Sequence, residues 1–159
     1  MKDRMEWIDR YARGAELIER AVQGLSEKEL RYVPAPGAWS AKEIVIHMAD
    51  SETVVVDRMK RVIAEERPPL RTMYQELWTR RLRYAELDHR PYLPLFKLLR
   101  ETMAGVLRTL DEADFERVGV HDELGDITLQ GLIVRYAEHA ENHAAQIERN
   151  AAAFRRSRP

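Results

Sequence analysis

Apolar residues recur along this chain at helical intervals. Ile8, Tyr11, Ala15, Ile18, Val22 and Leu25 are spaced alternately by three and four residues, the period of one face of an α-helix. The pattern predicts a helix over about residues 3–24, which Gly24 can end. Ser26 and Glu29 have capping-box spacing and predict a short helical turn. "VPAPGAW" then breaks the chain with two prolines and a glycine. A second capping box, Ser40 and Glu43, opens a helix that runs to about Glu65. Its inward candidates are Ile44, His47, Met48, Ser51, Val55, Met59 and Val62.

"EERPPL" stops that helix. A structureless connection over residues 66–90 would be unusually long. Thr72 and Gln75 fit another capping box, and Tyr74, Trp78, Leu82 and Ala85 share a face. They predict a short helix over about 73–86, inside the crossover. Pro91 and Pro94 suit the first turn of the next helix, whose stripe is Leu95, Leu99, Met103, Val106 and Leu110. "DEADFERVGVHDELGD" reads as a polar loop, with no alternating pattern to suggest a strand. Thr128 can cap a last helix that ends near Phe154. The expectation is an all-α protein. It is a four-helix bundle with a long crossover carrying a short extra helix between helices 2 and 3. One domain should cover residues 1–159, with 152–159 as a frayed tail.

Charge and composition narrow the setting. The 26 basic and 27 acidic residues leave a net charge of −1, which gives no reason to expect a nucleic-acid or anionic-membrane partner. No apolar run is long enough for a bilayer. The opening "MKDRMEWIDR" lacks the apolar stretch of a secretory leader, so a cytoplasmic location is expected. The chain has no cysteine. Disulfides, cysteine-type zinc sites and a protein thiol nucleophile are therefore excluded.

The chemistry on offer is imidazole. In the last helix Leu129, Leu132, Tyr136, His139, His143 and Ile147 follow at three, four, three, four and four residues. The two histidines thus continue the apolar stripe, whereas Arg135, Glu138, Glu141, Glu148 and Arg149 lie away from it. A solvated pair fits this placement poorly. Two readings remain, hydrogen-bonded core histidines or metal ligands. The first must find partners for two ring nitrogens on each residue. The spacing alone is a weak motif. His47, on the inward side of the second helix, adds a third imidazole. Bundle cores build metal sites from facing helices, and three neutral imidazoles leave coordination positions free, as catalytic sites do.

These segments resemble a known family. "WSAKEIVIHMADSE" resembles the DinB-like superfamily segment that carries the first metal histidine, and "GDITLQGLIVRYAEHAENHAAQI" resembles its closing segment. "RMKRVIAEERPPLRTMYQELW" is similar to the YfiT-like branch, whose members are called metal-dependent hydrolases or thiol S-transferases. The resemblance spans roughly residues 30–150. It implies a bundle in up-down-down-up order, a divalent metal held by His47, His139 and His143, and a homodimer. The closing motif departs in one respect, since that branch tends to carry further histidines around it.

A divalent metal, zinc or nickel first among candidates, could activate water for hydrolysis or deprotonate a bound thiol. With no cysteine in the chain, the thiol would be a low-molecular-weight cofactor such as bacillithiol or mycothiol, acting on a small-molecule electrophile. The resemblance leans towards thiol transfer. A metal-dependent hydrolase and a non-catalytic metal-binding or interaction protein are the alternatives. No catalytic base is evident. Asp50 and Ser51 are candidates to orient His47, and Trp39, Tyr74 and Trp78 could wall a pocket, although both groups also suit ordinary surface or core roles. His121, with Asp122 and Glu123, sits in the polar loop, where adjacent residues point different ways. It is read as outside the site, and His89 as a surface residue.

Overall fold

The expected stripes fold as helices in the computed structural model, which describes residues 2–157. In chain order, α1 spans Lys2–Val22, α2 Glu27–Leu30, α3 Ala41–Ala64, α4 Gln75–Arg81, α5 Tyr92–Leu107 and α6 Leu129–Arg156. Three short strands join them: β1 Pro69–Leu70, β2 Val118–His121 and β3 Gly125–Thr128. Both capping boxes form. The Ser26 and Ser40 hydroxyls accept from the amides of Glu29 and Glu43, and each glutamate accepts from its serine's amide in return. Thr128 caps α6 by accepting from Gly131 N at 3.0 Å. Each cap satisfies an orphan donor of a first turn and fixes where the helix starts.

Contacts at the helix ends set the directions of α1, α3, α5 and α6. At one end, Arg4 of α1 stacks on Phe115, which precedes α6. At the other, Arg155 of α6 bonds Glu29, just beyond α1. These two helices are therefore parallel. Arg117, before α6, donates to the Val62 and Glu65 carbonyls at the end of α3. Asn150, late in α6, donates to the Trp39 carbonyl ahead of α3. Arg108, past α5, reaches Asp9 near the start of α1. Both α3 and α5 thus run against α1 and α6, giving the up-down-down-up order.

The core has two apolar halves. One gathers Ile8, Val55, Met59, Met103 and Leu132, the other Ile18, Ile44, Met48, Phe96 and Ile147. Between them lies a charged layer. Arg100 of α5 and Glu52 of α3 are fully buried and bonded, Nε to Oε2, at 3.0 Å. Arg100 also donates to the carbonyls of Tyr11 at 2.6 Å and Tyr136 at 2.7 Å. The Tyr11 hydroxyl donates to the other Glu52 oxygen. One guanidinium therefore ties together α1, α3, α5 and α6. Gly14 makes room for it, since a β-carbon there would stand 2.1 Å from Arg100 Nη1.

Four expectations change. The polar loop contains a 3₁₀ turn, Glu112–Glu116, and the β2–β3 hairpin, with β1 parallel to β2. Its alternation was hidden because the inward residues of β2 are Gly119 and His121, while Val120 faces outward. Gly119 allows Leu70 and Val62 to close over it: an added β-carbon would meet Leu70 Cδ1 at 2.6 Å.

The crossover helix stops at Arg81, without a Thr72 cap. Thr72 bonds Asp122 instead. Arg83 takes a left-handed conformation at φ 56°, which lets Tyr84 bury its ring and donate to Asp50 at 2.6 Å. Tyr74, Leu82 and Ala85 are exposed and Trp78 only half-buried.

The α5 stripe is rotated. Phe96, Arg100, Met103, Ala104 and Leu107 face inward, while Leu95 and Val106 are exposed. The buried charge of Arg100 sets that rotation, and a count of apolar residues cannot see it.

The frayed tail is helical as far as Arg156, held by the Arg155–Glu29 pair and by Tyr32 against Phe154. Residues 158 and 159 lie outside the described residues. Among the described residues, no helix is long and apolar enough to cross a membrane.

Removing one partner of a buried pair leaves the other charge unpaired, at a cost of about 3–5 kcal/mol. Arg100→Met should lower stability by that order in urea denaturation. Adding Glu52→Leu should restore most of the loss. A double variant no more stable than Arg100→Met would show that the pair itself does not set the cost.

Candidate metal centre

Two helices bring three histidines together. The Ser40 cap starts α3 so that His47 faces inward beside Ile44 and Met48. The Thr128 cap sets α6 so that His139 and His143, one turn apart, face it. One ligating nitrogen from each lies within 4.8 Å of the others. The rings stand edge to face, with centroids 5.3 Å apart for His47–His139, 5.0 Å for His47–His143 and 4.6 Å for His139–His143.

The nitrogen geometry has the dimensions of a shared-ligand site. His47 Nε2 and His139 Nε2 are 3.3 Å apart. Two nitrogens bound to one tetrahedral zinc ion at about 2.0–2.1 Å would stand roughly 3.3–3.4 Å apart. The Nδ1 atoms of His47 and His139 are buried without a protein partner, and an ion held through Nε2 leaves them so. His143 is oriented differently. Its Nδ1–H donates to Gln146 Oε1 at 2.9 Å, which turns Nε2 towards the cluster.

The environment keeps the imidazoles neutral, the form that ligates metals. Burial, reinforced by the neighbouring His143, lowers the His47 pKa to about 3. Burial, then His143 and His47, lowers that of His139 to about 2. Burial also lowers His143, against an opposing pull from Gln146. Trp39 closes one side, lying 4.8 Å from the His47 ring and stacked at 12° and 6.2 Å on His143.

On the other side His47 and His139 open into a cleft of about 660 Å³ between α3, α6, the crossover and the β2–β3 hairpin. Ser51 lines it, though its hydroxyl donates to the Met48 carbonyl and not to a histidine. Asp50 faces away and accepts from Tyr84. Tyr74 lines the mouth at 59% exposure, and Trp78 is not among the lining residues. His89 stands apart from the cleft and is half-buried. His121 is buried at the end of β2 and lines the cleft, with Asp122 turned to Thr72 and Glu123 at the rim. It belongs to the cleft without joining the metal group.

Sequence reasoning missed Arg58, Gln146 and the cleft role of Tyr136. Gln146 had a signal, its position three residues after His143. Arg58 had a weaker one, lying eleven residues after His47, close to three full turns.

Residues 10–147 match the sequence pattern of the DinB superfamily. The chain belongs to the DinB superfamily. It is 30% identical, over 142 residues, to a protein of Oceanobacillus iheyensis named "Putative metal-dependent hydrolase", with 89% of this chain and 82% of the relative covered. A Bacillus licheniformis protein of the same name is 28% identical over 144 residues, covering 90% and 82%. Among solved structures, YfiT from Bacillus subtilis superposes with a TM-score of 0.90 at 24% identity, covering 97% of this chain and 89% of that one. It is described as "a probable metal-dependent hydrolase with an unusual four-helix bundle topology". A mycothiol-dependent maleylpyruvate isomerase shares the fold at a TM-score of 0.71 and 12% identity, with 89% of this chain matching 59% of that one.

The lowered histidine pKa values make a pH prediction for this DinB-superfamily chain in its metal-free form. Between about 3 and 6.5 the unfolded state binds protons that folded His47 refuses, so stability falls as pH falls through that window and is full above it. A His47→Gln/His139→Gln variant should show a shallower decline in chemical denaturation from pH 7 to 4. Parallel profiles would show that these histidines carry no such penalty.

Proposed function

We propose that this chain holds one divalent metal ion through Nε2 of His47, His139 and His143, and works as a metal-dependent transferase that joins a low-molecular-weight thiol to a small electrophile. The 3.3 Å spacing of the two Nε2 atoms, in a cluster that opens on a cleft, is the observation that carries the metal site. Zinc and nickel are the leading ions for an all-imidazole set. When bound, the ion supplies the Lewis acidity that ionises a thiol near neutral pH.

The chain's own residues do the rest. The histidines fix the position, Gln146 holds the His143 tautomer, and Trp39 excludes water from one side. The cleft holds both reactants close, which lowers the entropic barrier to their reaction. With no cysteine in the sequence, the sulfur nucleophile must arrive with a cofactor. The mycothiol dependence of the isomerase that shares this fold supports that step.

A hydrolase is the second reading. The names of the relatives favour it, and Glu138, an exposed carboxylate that lines the cleft and adjoins His139 in the chain, is the candidate to take a proton from an attacking water. The proposal includes a two-fold homodimer, with the exposed α5 residues Leu95, Leu98 and Val106 as apolar surface to bury.

Protein purified without an affinity tag should carry about one equivalent of metal. Alanine at His47, His139 or His143 should abolish it, and His89→Ala should not. Gln146→Leu should weaken metal affinity about 10- to 100-fold. Conjugation of a haloaromatic or an epoxide should require both metal and added thiol, and chelation should stop it. Ester or amide cleavage without thiol would favour the hydrolase. Full metal occupancy with no turnover across broad panels would leave a metal-binding protein. Sedimentation should give a dimer at micromolar concentration, and a monomer would remove the assembly from the proposal.

A further inference from the structure

Arg58 is a buried cation without a carboxylate. It is only 7% exposed and lines the same cleft as His47 and His139. Its Nη1 donates to the Tyr136 hydroxyl and its Nη2 to the Arg71 carbonyl, both neutral acceptors. Its Nε is buried with no partner. Among the described residues no carboxylate oxygen stands within ion-pair distance of it. Arg100, the other deeply buried arginine, shows the contrast: it has Glu52. A buried charge left uncompensated is costly and is retained where something else meets it.

A second donor lies beside it. His121 is buried at the end of β2, near enough to Arg58 for the guanidinium to help lower its pKa, after burial itself. His121 Nδ1 accepts from the amides of Glu123 and Leu124, at 3.2 and 3.3 Å. A neutral ring with Nδ1 accepting carries its proton on Nε2. The cleft carboxylates Glu76, Glu123 and Glu138 are exposed, at the solvated rim. Asp122 Oδ1 lies 3.3 Å from His121 Nδ1 but is bonded to Thr72 and does not line the cleft, so the buried floor offers the Arg58 cation and the His121 Nε2–H.

Tyr136 joins this floor to the histidines. Its hydroxyl accepts from Arg58, while its ring stands edge-on to His139 with centroids 6.0 Å apart. The guanidinium thus lies on the order of 10 Å from the cluster, in keeping with eleven residues of α3 at about 1.5 Å each, less the reach of the side chains.

We propose that Arg58 and His121 form a carboxylate-binding subsite, and that the molecule this cleft takes is elongated and anionic, with its carboxylate on Arg58 and its reacting end at the three histidines. A guanidinium edge with spare N–H donors matches the planar two-oxygen face of a carboxylate. The reacting end rests on the metal-site reading above, whereas the carboxylate preference stands on Arg58 and His121.

The probes are 6-mercaptohexanoate and its neutral primary amide, which have the same length. Ligand-observed NMR measures their affinity whether or not the sulfur reaches a metal. Cobalt-loaded protein reports sulfur coordination separately, through a thiolate-to-cobalt charge-transfer band. Wild type should bind the carboxylate roughly tenfold or more tightly than the amide, the size of a charge-assisted hydrogen bond. Arg58→Gln should reduce that preference to within about twofold of none. Arg58→Lys should keep part of it by retaining the charge. His121→Gln, which leaves the guanidinium in place, should lower it in a background that does not depend on replacing Arg58. Thermal melts establish that each variant is folded. Equal binding of the two probes, or a preference that survives Arg58→Gln, overturns the subsite even if both thiols give the cobalt band. A carboxylate preference without any cobalt band upholds the subsite and counts against metal–thiol chemistry alone.

Discussion

The buried pair of Arg100 and Glu52 organises this bundle. A full charge inside a helical core is costly unless it is paired and hydrogen-bonded, and each of the three Arg100 nitrogens has a partner, one carboxylate and two main-chain carbonyls. Those partners come from α1, α3 and α6, so the four long helices have one mutual arrangement that satisfies the guanidinium. Gly14 leaves the space for it, and the rings of Tyr11 and Phe96 lie against its faces, 4.4 and 4.7 Å from its carbon. Apolar halves above and below supply most of the burial but would tolerate sliding. The charged layer does not, because a shifted register strands a buried ion.

The histidine cluster inherits that fixed register. Arg100 holds the carbonyl of Tyr136, one turn before His139 on α6, and Glu52 lies five residues after His47 on α3. The two helices that supply the imidazoles are thus pinned near the point where their nitrogens converge. The cluster itself works against stability, since the Nδ1 atoms of His47 and His139 are buried without protein partners. A fold can carry such a cost at a site when rigid packing elsewhere offsets it.

Polar groups in the core therefore divide by how they are satisfied. Arg100 and Glu52 satisfy each other and act structurally. Asn150, Lys42 and Tyr84 bond main chain or carboxylate and tie loops to the bundle. His47, His139 and Arg58 each keep a buried nitrogen without a partner, and all three line one cleft. Arg4 Nε and Gln130 Oε1 are also buried without a partner, so it is the convergence of three such groups on one cleft that separates the candidate site from the framework.

By itself the sequence determined what depends on neighbours along the chain. Helical periodicity, the caps at Ser26, Ser40 and Thr128, and the proline breaks act within a few residues, so the long helices and the shared face of His139 and His143 were legible. The inward placement of His47 was legible for the same reason, because it rode on a stripe of apolar neighbours. What failed depended on distant partners. The hairpin was hidden because its inward face holds Gly119 and His121, which read as polar loop. The rotation of α5 was hidden because its deepest residue is a charge whose partners lie on three other helices. Tyr84 left its expected helix because Asp50 and the core offered burial and a hydrogen bond. Arg58 and His121 became one floor only when the hairpin folded against α3. Local spacing fixes which face of an element is apolar, but a buried charge takes its meaning from partners far away in the chain, and only the tertiary structure brings those together.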